Sequence, residues 1–431
     1  MTNLQEIAVF WFRRDLRIHD NTGLYHALNS KYSVLPIFIF DEAILNELPN
    51  NDPRVNFIYD TLSNINTDLI KNNSSLYIQR GEVLTVWKAL IRKFNIKKVF
   101  FNKDYEPYAI ERDLQIKNLC GKNNIEVFAF KDQVFFESNE VLKDDGKPYT
   151  VYTPYKNKWW RSFYVNELKF YPSENYKENF INANFIFPTK ATIGITNSTL
   201  KVRSINENAI LDYQNLRDKP NISTSNNSVY LRFGLISVRK LFNYAKDINE
   251  TYCNELVWRE FFMQILYHFP NVVNENFKPK YNFIPWRNNE KEFELWCEGK
   301  TGYPIVDAGM RELNKTGYMH NRVRMIVASF LNKHLLIDWR WGEAYFAQKL
   351  MDYDLAANNG NWQWVAGTGC DSAPYFRVFN PITQQQKFDP NFDYIKKWNP
   401  DYKNIPQVVE HKFARLRYLE VVKRALLKKS I

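Results

Sequence analysis

Cysteine is scarce in this chain and scattered along it. The four residues, Cys120, Cys253, Cys297 and Cys370, form no C-x-x-C pair and no cluster with histidine. That spacing argues against a zinc site and against a disulfide framework, and it fits a reducing compartment. Long apolar runs are missing as well. None approaches the roughly 20 residues that a membrane-spanning helix needs. The opening Met1-Thr2-Asn3-Leu4-Gln5-Glu6 has no basic stretch followed by an apolar one, so no secretory signal is expected. A cytoplasmic protein with no membrane partner is the expectation. No G-x-G-x-x-G follows the first strand-like segment, which argues against a standard dinucleotide site. No internal repeat is evident.

What the chain does have is length, positive charge and aromatic rings. Its 431 residues are 45% hydrophobic and 24% charged, enough for two domains with real cores and unlike a disordered composition. A net charge of +11 and a pI near 9.1 favour a polyanionic partner, nucleic acid or an anionic membrane surface. Simple solubility accounts for the charge equally well. The twelve tryptophans are roughly twice the average usage. Most can be core, but the excess asks for a reason.

The first part alternates strand and helix signals. Ile7–Trp11, Val34–Phe40, Leu76–Gln79, Lys98–Phe101 and Glu126–Phe130 are short apolar runs of the kind buried in parallel sheets. Amphipathic stretches lie between them, at Arg54–Ile70, Val83–Phe94 and Tyr108–Cys120. This alternation predicts a doubly wound parallel α/β domain over about residues 1–130. From 131 to 203 the pattern dissolves into Asn, Ser, Pro and Tyr, and a long connector is expected. From 204 to 431 helical periodicity takes over, clearest at Cys253–Phe269, Ile305–Leu313, Asn321–Leu336 and Glu343–Leu350. That half reads as a mostly α-helical domain.

Several residue groups carry chemistry. Asp352-Tyr353-Asp354 precedes Asn358-Asn359-Gly360-Asn361-Trp362-Gln363-Trp364, where packing alone would prefer Leu, Ile or Val. Indoles are easily oxidised and asparagine both donates and accepts hydrogen bonds, which suits a redox-active aromatic cofactor. Glu255, Trp258 and Arg259 share one helix face at i, i+3, i+4, and together can stack a base, bond its edge and bind phosphate. By spacing alone an ordinary amphipathic helix with an internal ion pair serves as well. Asn321, Arg324 and Met325 form a similar face, with Asp352 or Asp354 as partner for Arg324. A structural salt bridge remains the commoner use of such a pair. Thr224, Ser225 and Ser228 offer hydroxyls suited to a diphosphate, or else a solvated loop.

Together these segments resemble the DNA photolyase and cryptochrome family, and class I photolyases in particular, along nearly the whole chain. The opening match is Trp11-Phe12-Arg13-Arg14-Asp15-Leu16-Arg17-Ile18-His19-Asp20-Asn21. The strongest runs from Glu298-Gly299-Lys300-Thr301-Gly302-Tyr303-Pro304-Ile305-Val306-Asp307 through Met319-His320-Asn321-Arg322 to Asp371-Ser372-Ala373-Pro374-Tyr375-Phe376-Arg377. The resemblance implies a U-shaped, non-covalent FAD in the helical domain. Tyr213 and the loop Thr224, Ser225, Asn226, Asn227, Ser228 match the positions that hold its phosphates and ribose. Arg259 lies against it, Asp352, Tyr353 and Asp354 form another wall, Arg324 pairs with Asp352 beside the ring, and Asn358 faces flavin N5. Trp362, Trp339 and Trp286 take the places of the family's electron-conducting tryptophans, while Trp296 reads as packing.

The implied activity is that of a deoxyribodipyrimidine photo-lyase. Light-excited reduced FAD would pass an electron to a cyclobutane pyrimidine dimer flipped out of DNA, the ring would split, and the electron would return. Glu255, Trp258 and Met325 agree with the dimer-binding pattern, with Trp364 as the second aromatic wall and Glu255 bonded to a dimer carbonyl. Members that act on (6-4) photoproducts carry histidine at the place of Met325. Arg217, Arg322, Arg377 and Gln384 are the candidates to meet DNA, beside Asn321. The partner is UV-damaged DNA; no obligate protein partner is evident and a monomer is expected. The loop reading Thr-Ser-Asn-Asn-Ser departs from the family's usual Arg-Leu centre, and the region after Trp398 is shorter than usual. Near Tyr105-Glu106-Pro107-Tyr108-Ala109 the residues that grip a folate antenna are missing. A second, unidentified antenna chromophore stays open. The competing readings are a blue-light-sensing cryptochrome, a photolyase for (6-4) photoproducts, and a nucleic-acid-binding module without flavin. The Glu255, Trp258, Met325 trio and the lack of a long tail favour the lyase.

Overall fold

The computed structural model describes residues 5–427. The opening and closing segments Met1–Leu4 and Lys428–Ile431, read above for signal and tail, lie outside the described residues. Two compact units are present. One joins the residues up to 141 with 160–203 and 227–247; the other joins 142–159 and 204–226 with the chain from 248 onward.

The first unit is built on one parallel sheet of five strands: β1 (Glu6–Phe12), β2 (Ser33–Asp41), β3 (Tyr77–Gly81), β4 (Asn95–Asn102) and β5 (Glu126–Phe130). Their order is β3-β2-β1-β4-β5. The winding reverses beside β1, as a doubly wound sheet requires. Six of the seven residues of β1 are buried, because helices cover both faces of such a sheet and the strand must be apolar throughout. Phe10 stands opposite Pro36 of β2 and Phe100 of β4. The crossover helix Pro53–Ile70 begins with Pro53 at its first position and Asp52 accepting from the Arg54 and Val55 amides, a proline and an N-cap where each is favoured.

The same unit buries a cluster of charges. Arg17 Nη2 donates to both carboxylate oxygens of Asp132, at 2.9 and 2.7 Å. Arg239 donates to Asp132 at 2.9 Å and to the Asp20 carbonyl at 2.6 Å. Burial by itself would raise the Asp132 carboxyl, but the two guanidiniums bring it down to about 2.

The second unit is helical. Its core gathers Trp296, Val306, Met310, Val327, Phe330 and Trp339. The stretch expected as one helix over Asn321–Leu336 is an α-helix over Asn321–Ser329, then a π-helical turn over Phe330–His334, and Leu336 at φ 54° ends it. The helix Leu355–Ala366 is capped by Asp354, which accepts from the Ala357 amide, and stops at Gly367 in the left-handed region at φ 87°. Two glycines set how closely its neighbours approach. A Cβ on Gly360 would enter the ring of Phe262 from the helix Glu250–His268. A Cβ on Gly342, in the helix Trp339–Lys349, would enter the ring of Trp362. No helix among the described residues is long and apolar enough to cross a membrane.

Candidate functional site

The helices Asn321–Ser329, Trp339–Lys349 and Leu355–Ala366 enclose a recess of about 540 Å³, counting the space at its mouth. It collects Asn321, Arg324, Met325, Asp352, Tyr353, Asp354, Asn358 and Trp362, all expected site residues. Arg324 Nη2 donates to both oxygens of Asp352 at 3.1 and 3.0 Å, and Nε donates to the Met319 carbonyl at 2.8 Å. The Asn358 amide nitrogen is engaged by Glu343, donating to its carbonyl at 3.1 Å and to Oε1 at 2.9 Å. That fixes the amide plane and leaves its oxygen to accept a further donor. Burial raises the Glu343 carboxyl, with the Asn358 bond acting against it. Glu343 was not among the expected residues.

The apolar part of the recess is made by Ala328, Phe346, Leu350, Ala357 and Val365. Two alanines leave room for a flat ring, and Arg324, Asp352 and Asn358 give that ring donors and acceptors at its edge. A flavin fits this chemistry. Trp362 is buried, with Phe346 edge-on at 5.0 Å and the ring of Trp296 at 6.3 Å. Trp296, read from sequence as packing, is thus an indole beside Trp362. Trp339 is fully buried with its Nε1 donating to Asn276 at 2.8 Å, and Trp286 is half-buried against the helical core.

The helix Glu250–His268 carries Glu255, Trp258 and Arg259 on one face, all half-buried. Glu255 Oε1 lies 2.8 Å from Arg217 Nη1, so Arg217 meets a carboxylate of its own chain where a DNA phosphate was expected. Burial raises the Glu255 carboxyl, and Arg217 opposes the rise. Arg322 Nη2 is likewise paired, with Asp218 at 2.6 Å, and its Nη1 lies 3.8 Å from the sulfur of Met325. Trp258 is stacked face to face on Tyr152, ring centres 3.5 Å apart and 9° from parallel. Tyr152 falls in the stretch read as connector, where no periodicity marked it; it opens the helix Tyr152–Val165. Trp364 is half-buried against the helical core. Arg377 is exposed, its carbonyl taking a 2.8 Å bond from Lys333 Nζ, and Gln384 lies half-buried on the helix Pro381–Phe388.

In the hydroxyl-rich loop, Thr224 is half-buried and Ser225 is buried, its Oγ 3.5 Å from the Tyr252 hydroxyl. Tyr213 meets Tyr252 edge-on at 5.2 Å. Asn226 takes the left-handed conformation at φ 58° and donates to the Ser204 carbonyl at 2.9 Å. Asn227 and Ser228 open the helix Asn227–Arg232. Tyr252 was missed by sequence reading, since an aromatic residue in a helix carries no distinguishing signal. Among the described residues no group of three or more His, Cys, Asp or Glu is placed to hold a metal ion.

Comparison with known proteins agrees across the chain. The profile of the DNA photolyase family matches residues 8–173, and that of the FAD binding domain of DNA photolyase matches residues 252–425. A deoxyribodipyrimidine photo-lyase of Vibrio cholerae is 36% identical over 438 residues, covering 94% of this chain and 92% of its own. One from Escherichia coli K12 is 35% identical, covering 93% and 90%. Among solved structures, an archaeal photolyase from Sulfolobus tokodaii holding two FAD molecules superposes with a TM-score of 0.83 at 34% identity, over 97% of this chain and all of the other.

Proposed function

The chain belongs to the DNA photolyase family, and from that premise we propose that it repairs cyclobutane pyrimidine dimers in DNA under blue light. The observation that carries this reading is the recess itself, where the Arg324–Asp352 pair, Asn358 and Met325 line one space whose polar edge and apolar wall suit a flavin ring. Reduced FAD bound there supplies the light-driven electron that splits the dimer.

The residues divide the remaining work. Arg324 and Asp352 would hold the polar edge of the ring, and the Asn358 oxygen would accept a hydrogen bond from a ring N–H. Tyr353, Asp354 and Arg259 complete the walls, while Tyr213 and the loop Thr224–Ser228 hold phosphates and ribose. Glu255 donates to a carbonyl of the dimer when protonated, and its raised carboxyl increases the protonated share at a given pH. Trp258 and Trp364 sandwich the dimer, with Asn321 and Met325 on its rim. A dimer already distorts its stack, so flipping it out costs less than flipping an intact pair. Arg322, Arg377 and Gln384 meet the phosphates, which makes binding salt-dependent, while Arg217 is held by Glu255 and reaches DNA only if that pair opens. Trp286, Trp339 and Trp362 provide short hops for electrons across the helical unit. We place this action in the cytoplasm, by a monomer with no obligate protein partner.

The test is anaerobic repair of an oligonucleotide carrying one thymine cyclobutane dimer, with flavin reduced, in blue light and in darkness. Light-dependent recovery of intact thymines is expected. Bound, reducible flavin without repair would give the role to blue-light sensing instead.

A further inference from the structure

We propose that Tyr152 is a positioning residue for the lesion pocket, holding Trp258, the Glu255 turn and the Asp371–Arg377 segment in one fixed arrangement. The inference rests on the repair reading above. Tyr152 touches three elements at once. Its ring lies on the Trp258 indole at 3.5 Å and 9° from parallel. Its hydroxyl donates at 2.8 Å to the carbonyl of Asn254, the residue before Glu255. Its backbone N–H donates at 3.0 Å to Asp371 Oδ2.

Each contact fixes something the pocket needs. Phe261 meets Trp258 edge-on at 5.6 Å and Phe262 meets it in an offset stack at 5.5 Å. With Tyr152 on its face, the indole has one pose left, yet it stays half-exposed and able to stack on a base. A carbonyl has two lone pairs, so Asn254 can keep its helical bond and still accept the phenol. The hydroxyl therefore clamps the turn that presents Glu255. The N–H of Tyr152 is among the first of its helix, which has no partner within the helix, and the Asp371 carboxylate satisfies it. The next residue, Ser372, takes a 2.7 Å bond from Lys278, and the segment runs on to Arg377. Tyr152 itself is only 7% exposed and has no open face for substrate. Burial, and then the Glu255 carboxylate, push its phenol upward, so it remains a donor at any ordinary pH.

The test compares the flavin-loaded wild type with Y152L, Y152F and Y152H. Affinity is measured for the same oligonucleotide with and without a dimer, and repair rate is measured at saturating substrate. Y152L should weaken dimer binding by roughly tenfold, the upper range of an aromatic pair. Its affinity for undamaged DNA and its flavin absorbance should change much less, while its saturated repair rate should also fall, because the bond that clamps the Glu255 turn is lost with the hydroxyl. Y152F keeps the stack and should recover most of the affinity. Y152H keeps a ring and guards against a Y152L chain that fails to fold, and the expected order is Tyr, Phe, His, Leu. Adding Y152L to W258L should cost little further. An order unrelated to the ring, equal losses on both DNAs, or full additivity with W258L would overturn the proposal. A wild type that does not prefer the dimer would sink the repair reading itself, and that result appears before any variant is compared.

Discussion

In the α/β unit, Asp132 is bonded by Arg17 and Arg239, and these three side chains are 1%, 3% and 7% exposed. In the helical unit, Asp352 is bonded by Arg324 with much the same reach, but the arginine keeps 28% of its side chain open at the recess. The residue types are the same and the surroundings differ. Where every donor and acceptor is used and water is shut out, the pair fixes the backbone and nothing else can be added. Where one partner stays open, the pair orients a guanidinium toward whatever enters. Exposure separates a structural ion pair from a ligand-facing one better than distance does.

The comparison can be broken by removing the same charge on each side. D132N leaves the buried Arg17 without its carboxylate and Arg239 with Asp20 alone, at 3.1 Å, and should cost about 3–5 kcal/mol, the range for breaking a buried pair. Denaturant unfolding measures it, and the FAD bound per folded molecule should hold steady. The sign with pH follows from the depressed carboxyl. Stability from Asp132 is fully present above its unfolded value of roughly 4. It is lost as pH falls toward about 2. A melting point indifferent to D132N would end the distinction.

E255A tests the chemical side. Repair by pre-reduced enzyme should fall by roughly a hundredfold, as for loss of one donor aimed at a developing charge, while flavin stays bound. In the wild type, repair should decline as pH rises through the raised carboxyl value, and E255A should flatten that limb. Loss of flavin in E255A would make Glu255 structural.

D352N should do the reverse of D132N. Flavin affinity should weaken by about tenfold, read by titrating apoprotein, with a smaller change in unfolding. If D352N destabilises as much as D132N, the open pair is structural as well. The smallest effect is expected at Arg377, exposed and without a carboxylate partner among the described residues. R377A should weaken damaged and undamaged DNA alike and lower the salt slope by about one. Arg322 already carries Asp218, so part of its contribution is offset before DNA arrives.

The sheet was legible because a strand covered on both faces has to be apolar, as β1 and β2 are nearly throughout, while β3, β4 and β5 keep apolar cores between polar residues such as Gln79, Arg80, Lys97, Lys98 and Glu126. The helix Leu355–Ala366 was harder. It is covered on several sides, so amides and apolar residues mix around it and no stripe appears; only its Asn and Trp content marked it. The break after Ser329 was hidden, since a π-helical turn keeps nearly the same apolar spacing as the helix it interrupts. In the site, the family resemblance put Arg324, Asp352 and Asn358 together, where spacing alone left Arg324 open between Asp352 and Asp354. The pairing of Arg217 with Glu255 was not readable, because it joins a short turn to a distant helix. Tyr152 was invisible for the same reason, lying in a stretch without period.

Gly342 and Gly360 also bear on how this recess can be altered. The carbon each lacks is the space in which Trp362 and Phe262 sit, so both positions are closed to enlargement. A redesign for a bulkier or differently tuned chromophore has most freedom at Ala357, which lines the recess outside the packed core, whereas Ala328, Leu350 and Val365 line it as buried members of that core. A library at Ala357 should return folded proteins with shifted absorption, whereas libraries that include either glycine should be dominated by chains whose helices no longer seat.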